Sequence, residues 1–431
     1  MPKAKNLSEV IEVFDPRESL VGDALRDFYV DRPGNPLLKM EQELISLRNS
    51  SVKVLFYGHR GSGKSTELNK LADRLAKNYG NRYETITVNV NRYAGTLVYQ
   101  DVLMTIAFAL FNRAVELEAV GKAPVQVVQE ALDSVRIFIQ DQLYGKASLK
   151  VPQLQSTEVS ATLKTLVTEL EAKYTLSTIT RTTLQEFIDQ NLDELRNQID
   201  LIAGLILQRT QRRVLFAVEG TDRPDPERAL RIFRDHTYAL TCFRLASAIY
   251  TFPIELVYAP EFGQMKDAFG VRHALPNFKV KTKADDNQAP QPDTQGLECL
   301  RQIVLSRMEA HLIEPTALTI LTEASGGAVR FLVRMVRTAA ANALARNETE
   351  QIKPQDAQVA IIEELRDFIR SLRSEHYPVL WQRSQDNTLD GDEIHQTLLH
   401  MSALLEYSNG GAPWCDVHPI IFDEVRKRTG H

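Results

Sequence analysis

Two rhythms of apolar and polar positions run along the chain. Val52–Tyr57 is a short apolar run that reads as a buried strand, and Tyr83–Asn91 (YETITVNVN) alternates β-branched and polar residues with a strand's period of two. Between them Ser65–Asn78 has the spacing of an amphipathic helix. From about Leu97 to Arg213 the spacing is mostly helical, interrupted by YGKASLKVPQLQSTEVSATL, which reads as a short hairpin or a mobile loop. A further apolar strand ends in acids and prolines in RRVLFAVEGTDRPDPE (Arg212–Glu227), and SAIYTFPIELVYAP (Ser247–Pro260) holds one more strand or two. Lys283–Gly296 is rich in Pro, Asp and Gln and reads as a linker. Beyond it Leu297, Leu300, Val304 and Met308 share one helix face, and SNGGAP reads as a hairpin turn between two short strands near the end. Before Asn49 the chain is polar, with Tyr29–Pro36 a turn-rich approach to the first strand. Strands alternating with helices, then helices alone, predict an α/β core followed by helical additions.

Composition narrows the class without naming a function. The 431 residues are 43% apolar and 25% charged, as in an ordinary globular chain of two or three domains. A net charge of −5 gives no global attraction to nucleic acid or an anionic membrane. The longest apolar run, Val102–Phe111, is about half a membrane span and reads as a buried helix. The start lacks a secretory pattern, and Cys242, Cys299 and Cys415 have neither zinc-ligand nor redox spacing. Each reads as a buried thiol in a reducing compartment, which predicts a cytoplasmic protein with no membrane partner.

The hinge between the first strand and its helix carries the chemistry. GHRGSGKS fits G-x-x-x-x-G-K-[ST] through Gly58, Gly63, Lys64 and Ser65. A polyphosphate must be wrapped by main-chain N–H groups that all turn inward, and glycines permit that curvature. The helix start adds its positive dipole end. Gly58, His59, Arg60, Gly61, Ser62, Gly63, Lys64, Ser65 and Thr66 are therefore the expected phosphate cradle, with the Lys64 ammonium on the β- and γ-oxygens and the Ser65 hydroxyl on Mg²⁺. Lys64 is expected on a solvent-facing loop, so that its removal should leave the fold intact.

Such a cradle needs acids at the tip of a neighbouring strand. VLFAVEGTDR offers Glu219 for the Mg²⁺ shell and Asp222 to polarise the attacking water; the alternative is that both merely cap the turn that follows. Gly220 stands immediately after Glu219, where a catalytic glutamate often stands, which leaves hydrolysis less secure than binding. Thr251 is either a sensor of the γ-phosphate or an ordinary strand-end hydroxyl. Arg330, Arg334 and Arg337 share one helix face, either as a solvated stripe or with Arg330 reaching back to the phosphates.

YGHRGSGKST, VLFAVEGTDR, IYTFPIEL and SGGAVRFLVRM, in this order, resemble the AAA+/STAND class of P-loop ATPases. The order of core, lid and tail is similar to that of origin-recognition ATPases and signal-transducing STAND switches. The resemblance implies an α/β P-loop core over residues 1–285 with a helical insertion at about 97–211, a helical lid over 286–361 and a winged-helix-like domain over 362–431. It implies ATP and Mg²⁺ as cofactors, Glu219 and Asp222 as the Walker B acids, Thr251 as the first sensor and Arg330 as the second. The family usually carries Asp where this chain has Glu219. Arg223 and Arg228 are candidates for a trans-acting arginine, and the insertion is long enough to contact a partner.

The tail argues about that partner. Glu363–His431 holds 12 acids against seven Lys and Arg, and its candidate recognition helix, GDEIHQTLLHMSALL, has no Lys or Arg. A winged helix that grips DNA needs a basic face. The expected function is thus an ATP-driven switch acting on a protein partner or on further copies of itself. A DNA-loading ATPase and a non-hydrolysing nucleotide binder are the alternatives. Trp414 and His418 are expected as core and turn residues.

Overall fold

The computed structural model describes residues 2–47, 50–78, 82–120, 133–151, 159–283, 290–346, 350–408 and 411–431. Five parallel strands form the central sheet: β1 (Lys53–Gly58), β2 (Tyr83–Asn89), β3 (Arg213–Glu219), β4 (Ala246–Pro253) and β5 (Gly270–Ala274). Their order across the sheet is β2-β3-β4-β1-β5. All eight residues of β4 are buried, as a strand covered by helices on both faces requires. The register brings Asn89 opposite Glu219 and Gly58 opposite Pro253, so one edge of the sheet collects every carboxyl end that carries a candidate residue.

β5 is absent from the sequence reading. It is an edge strand of five residues with no clean alternation, and the second strand expected in SAIYTFPIELVYAP is instead a short 3₁₀ turn, Ile254–Val257. The insertion between β2 and β3 is helical: Tyr99–Val120, Val159–Leu176, Thr178–Gln190 and Leu192–Thr210. Its interior holds a buried carboxylate, Asp101, which accepts from Arg181, Tyr174 and Gln185. The expected hairpin or loop falls partly on residues 152–158, outside the described residues; Phe138–Tyr144 before it is a π-helical turn.

A second apolar cluster joins the helices Thr294–Leu305, Pro315–Ala324, Val329–Arg346 and Pro354–Ser371 to the C-terminal unit. That unit has helices His376–Asp386, Glu393–His400 and Phe422–Arg428 with the antiparallel hairpin β6 (Leu404–Tyr407) and β7 (Trp414–Val417), a winged-helix-like arrangement. Residues 284–289 of the expected linker and 409–410 of the hairpin turn lie outside the described residues. Trp414 and His418 are buried.

The chain's start also differs from expectation. The polar stretch before Asn49 contains helices Leu7–Val13, Gly22–Phe28 and Leu38–Ser46. The first contributes Leu7, Val10 and Phe14 to the second cluster rather than to the sheet's core. Ala4 pairs with Met308 in a short parallel bridge, its N–H donating to the Arg307 carbonyl (2.9 Å). Cys415 is buried, but Cys242 and Cys299 are half-exposed, so burial does not hold for all three thiols. Among the described residues no helix is long and apolar enough to cross a membrane.

Candidate functional site

A cleft of about 290 Å³ opens at the carboxyl edge of the sheet, between the core, the lid helix Val329–Arg346 and residues 12–28. Arg60, Gly61, Gly63, Lys64, Ser65 and Thr66 line it from the loop after β1; Glu219, Asp222, Thr251 and Arg330 line it from the other sides. The expected site residues thus meet in one place. Gly58, His59 and Ser62 do not line it. His59 and Ser62 are buried on the loop's other side, and the Glu406 N–H of β6 donates to His59 Nε2 (2.7 Å).

Lys64 is not solvent-facing: it is 5% exposed. Its Nζ donates to the Gly58 (2.6 Å) and His59 (2.9 Å) carbonyls and lies 2.7 Å from Asp222 Oδ2. Asp222 is itself buried, which alone would raise its pKa; the adjacent ammonium overrides that and holds it below the usual carboxylate range. Glu219 goes the other way. Burial raises it, the Ser65 hydroxyl bonded to it opposes, and the Asp222 charge adds to the rise. Glu219 and Ser65 therefore stand side by side as two oxygen donors, one of them a buried carboxylate that, among the described residues, has no cationic side chain hydrogen-bonded to it. That donor set suits a hard divalent cation such as Mg²⁺.

The cationic side is in excess. Arg60, Arg223 and Arg330 line the cleft with Lys64. Burial and then repulsion from Arg223 lower Arg330 to about 10, still a cation at neutral pH. Arg223 is likewise lowered, by burial first, with Asp222 opposing and Arg60 adding to the fall. A cluster of like charges of this kind can attract a polyanion. Arg228 pairs with Asp225 on the surface, outside this group. The arginine stripe of the lid helix is not a solvated face: Arg334 pairs with Glu364 and Arg337 with Asp15 (3.7 Å), while Arg330 turns into the cleft.

Two glycines explain how the parts come so close. At Gly61 (φ +84°) a Cβ would lie 2.4 Å from the Arg330 Cβ, and the Arg330 N–H donates to the Gly61 carbonyl (3.0 Å). The helix Val329–Arg346 and the loop after β1 are therefore in main-chain contact. At Gly220 (φ +93°) a Cβ would lie 2.3 Å from Asn91 Oδ1. The place a catalytic glutamate would take is filled by Asn91, which opens the short turn Asn91–Tyr93 after β2 and itself lines the cleft. Gly220→Ala is expected to lower the melting temperature by an amount corresponding to about 2 kcal/mol, through left-handed strain plus overlap with Asn91. An unchanged thermal melt would refute the fit.

Thr251 holds this turn in place: the Gly220 N–H donates to its Oγ1 (3.0 Å), and Thr221 Oγ1 donates to its carbonyl (2.5 Å). Sequence reading missed three neighbours. Asn91 gave no motif. Arg32, in the turn-rich approach, donates to Glu67 (2.8 Å) and the Pro276 carbonyl (2.9 Å) and reaches the Ser62 carbonyl, clamping the loop from behind. Glu255, whose charge is felt at Lys64, pairs with His400 Nδ1 (2.6 Å).

No protein-family model matches the chain, and no curated protein matches it. Among solved structures it is similar to Cdc6p from Pyrobaculum aerophilum, at 12% identity and a TM-score of 0.39, over 96% of this chain and 99% of that one. It is also similar to the Aeropyrum pernix Orc1 protein, solved in complex with DNA, at 14% identity and a TM-score of 0.42, over 95% of each chain.

Proposed function

We propose that the chain is an ATP-binding and ATP-hydrolysing switch of the AAA+/STAND type, which passes its nucleotide state to a protein partner or to further copies of itself. The observation that carries this is the meeting of Lys64, Ser65, Glu219, Asp222 and Arg330 in one cleft with more cationic than acidic side chains. In this reading Lys64 and the loop N–H groups take the phosphates, and Ser65 and Glu219 hold Mg²⁺, which supplies charge neutralisation at the phosphoryl oxygens when bound. Arg330 meets the phosphates from the lid. Thr251 keeps Glu219 and Asp222 in position through Gly220 and Thr221.

Asp222 orients water rather than taking its proton. A carboxylate held below the usual range is a weak base at neutral pH, so slow turnover is expected. Phosphate release should be measurable in the wild type and should fall at least about tenfold in Asp222→Asn. Equal release by the two would remove Asp222 from the reaction. Tight ATP binding with no release by either would make the protein a nucleotide binder without turnover.

The switch itself is supported by the two contacts of the phosphate loop, to Arg330 of the lid and through His59 to Glu406 of the C-terminal hairpin. Hydrogen exchange over Leu404–Val417 should differ between the ATP and ADP complexes; identical exchange would leave binding intact and refute the switch. DNA is the less favoured partner. The helix Glu393–His400, which carries no Lys or Arg, is tied to the core through the His400–Glu255 pair instead of standing free to enter a groove.

A further inference from the structure

The cleft contains a charge that the phosphate site described above does not use. Arg307 is in the cleft's wall, where Val13, Leu20, Phe28, Val329 and Val333 are among the apolar side chains that line the same space. The charges felt at Arg330 are those of Arg223, Asp222, Arg60 and Arg334, whereas at Arg307 no charged group is felt and burial alone acts. Arg307 is 8% exposed. Among the described residues it forms no ion pair, and its Nη1 has no hydrogen-bond partner. The Phe14 ring centroid, 5.8 Å away, is its nearest aromatic support. Burial lowers its pKa to about 10, so it keeps its charge at neutral pH.

The side chain is also anchored at its base. The Arg307 N–H donates to the Val304 carbonyl (3.0 Å), its carbonyl accepts from Ala4, and the adjacent Ser306 hydroxyl donates to the Phe28 carbonyl (3.1 Å). An unpaired buried cation costs several kcal/mol, and a fold that fixes its main chain here keeps that cost in the ligand-free state. A ligand that brings an acceptor atom to Arg307 removes it. Apolar side chains line the cleft beside Arg307, and a guanidinium only donates, so a flat heteroaromatic ring with acceptor atoms on its edge is a complementary group. A purine base meets that description, with N3 and N7 free to accept.

We infer that Arg307 is a specificity-determining residue that donates to an acceptor edge of the nucleotide's purine base. This rests on the nucleotide reading above. The test is calorimetric titration of the full chain with ATP·Mg²⁺ and with tripolyphosphate, which has the phosphates without the base. Arg307→Met, of similar length and apolar, should lose ATP affinity by about 10- to 100-fold, the loss of a charged hydrogen bond, and leave tripolyphosphate affinity within about twofold. Arg307→Lys should recover part of the ATP loss. Unchanged ATP affinity in Arg307→Met would overturn the inference, as would equal losses for both ligands, which would mark Arg307 as structural. Wild-type protein that binds tripolyphosphate as tightly as ATP would overturn it too, with the phosphate site standing. Wild-type protein that binds neither would end the nucleotide reading itself.

Discussion

Lys64→Ala is expected to lose ATP affinity by about 100-fold or more, and to melt earlier even without nucleotide. The first loss follows from removing one partner of a desolvated charge pair, worth about 2–5 kcal/mol. The second follows from burial. Asp222 lies 2.7 Å from Lys64 Nζ, and without that ammonium its carboxylate is left in a site where it is 8% exposed. Breaking a buried pair from one side typically costs about 3–5 kcal/mol. Lys64→Ala/Asp222→Asn should therefore recover much of the stability of Lys64→Ala while leaving ATP binding lost. A double variant that melts no higher than the single one would refute the stranded-carboxylate argument. Unchanged ATP affinity in the single variant would refute the phosphate site.

Acid should destabilise the protein well before its carboxylates titrate. His59 and His418 are fully buried and both fall to about 3. Burial comes first in each; the Lys64 ammonium adds to the fall at His59, with the Leu399 carbonyl opposing, and His59 and Arg334 add to it at His418. The unfolded chain takes up these two protons near pH 6.5, whereas the native chain refuses them until about pH 3. Their contribution is complete above pH 6.5 and declines as pH falls through that window, by about 1.4 kcal/mol per histidine per pH unit. At pH 5 the two together remove roughly 4 kcal/mol, a large part of a typical domain's stability. Urea melts from pH 7.5 to 5 should show it, and His418→Gln should flatten about half of the slope. A flat profile would mean that neither imidazole stays neutral in the native state.

What the sequence disclosed divides along physical lines. The glycine loop between β1 and its helix was legible because its residues keep a recognisable spacing, β1, β3 and β4 because buried strands leave apolar runs, and β2 because it alternates apolar and polar residues. Glu219 was legible as the acid ending an apolar strand. The state of each group was not. Lys64 looked solvent-facing because loop position says nothing of what packs over the loop, here Asp222 and the C-terminal hairpin beyond His59. Gly220 looked like a missing acid because the side chain that fills its place, Asn91, comes from more than a hundred residues earlier. Arg307 left no trace in any motif, because an unpaired buried charge is defined by the absence of neighbours that only folding arranges.

The route of the first 37 residues limits what the nucleotide can move. Ala4 to Phe14 are packed with the lid and tail, Leu37, Met40 and Leu44 lie under the sheet, and the chain returns to the lid side at Phe278 and Val280. Two covalent straps thus span the gap between the halves, one of them running along the cleft itself past Leu20 and Phe28. A plate hung on two straps can swing about the line that joins them but can neither twist freely nor drift away, so any opening of the cleft should follow one axis.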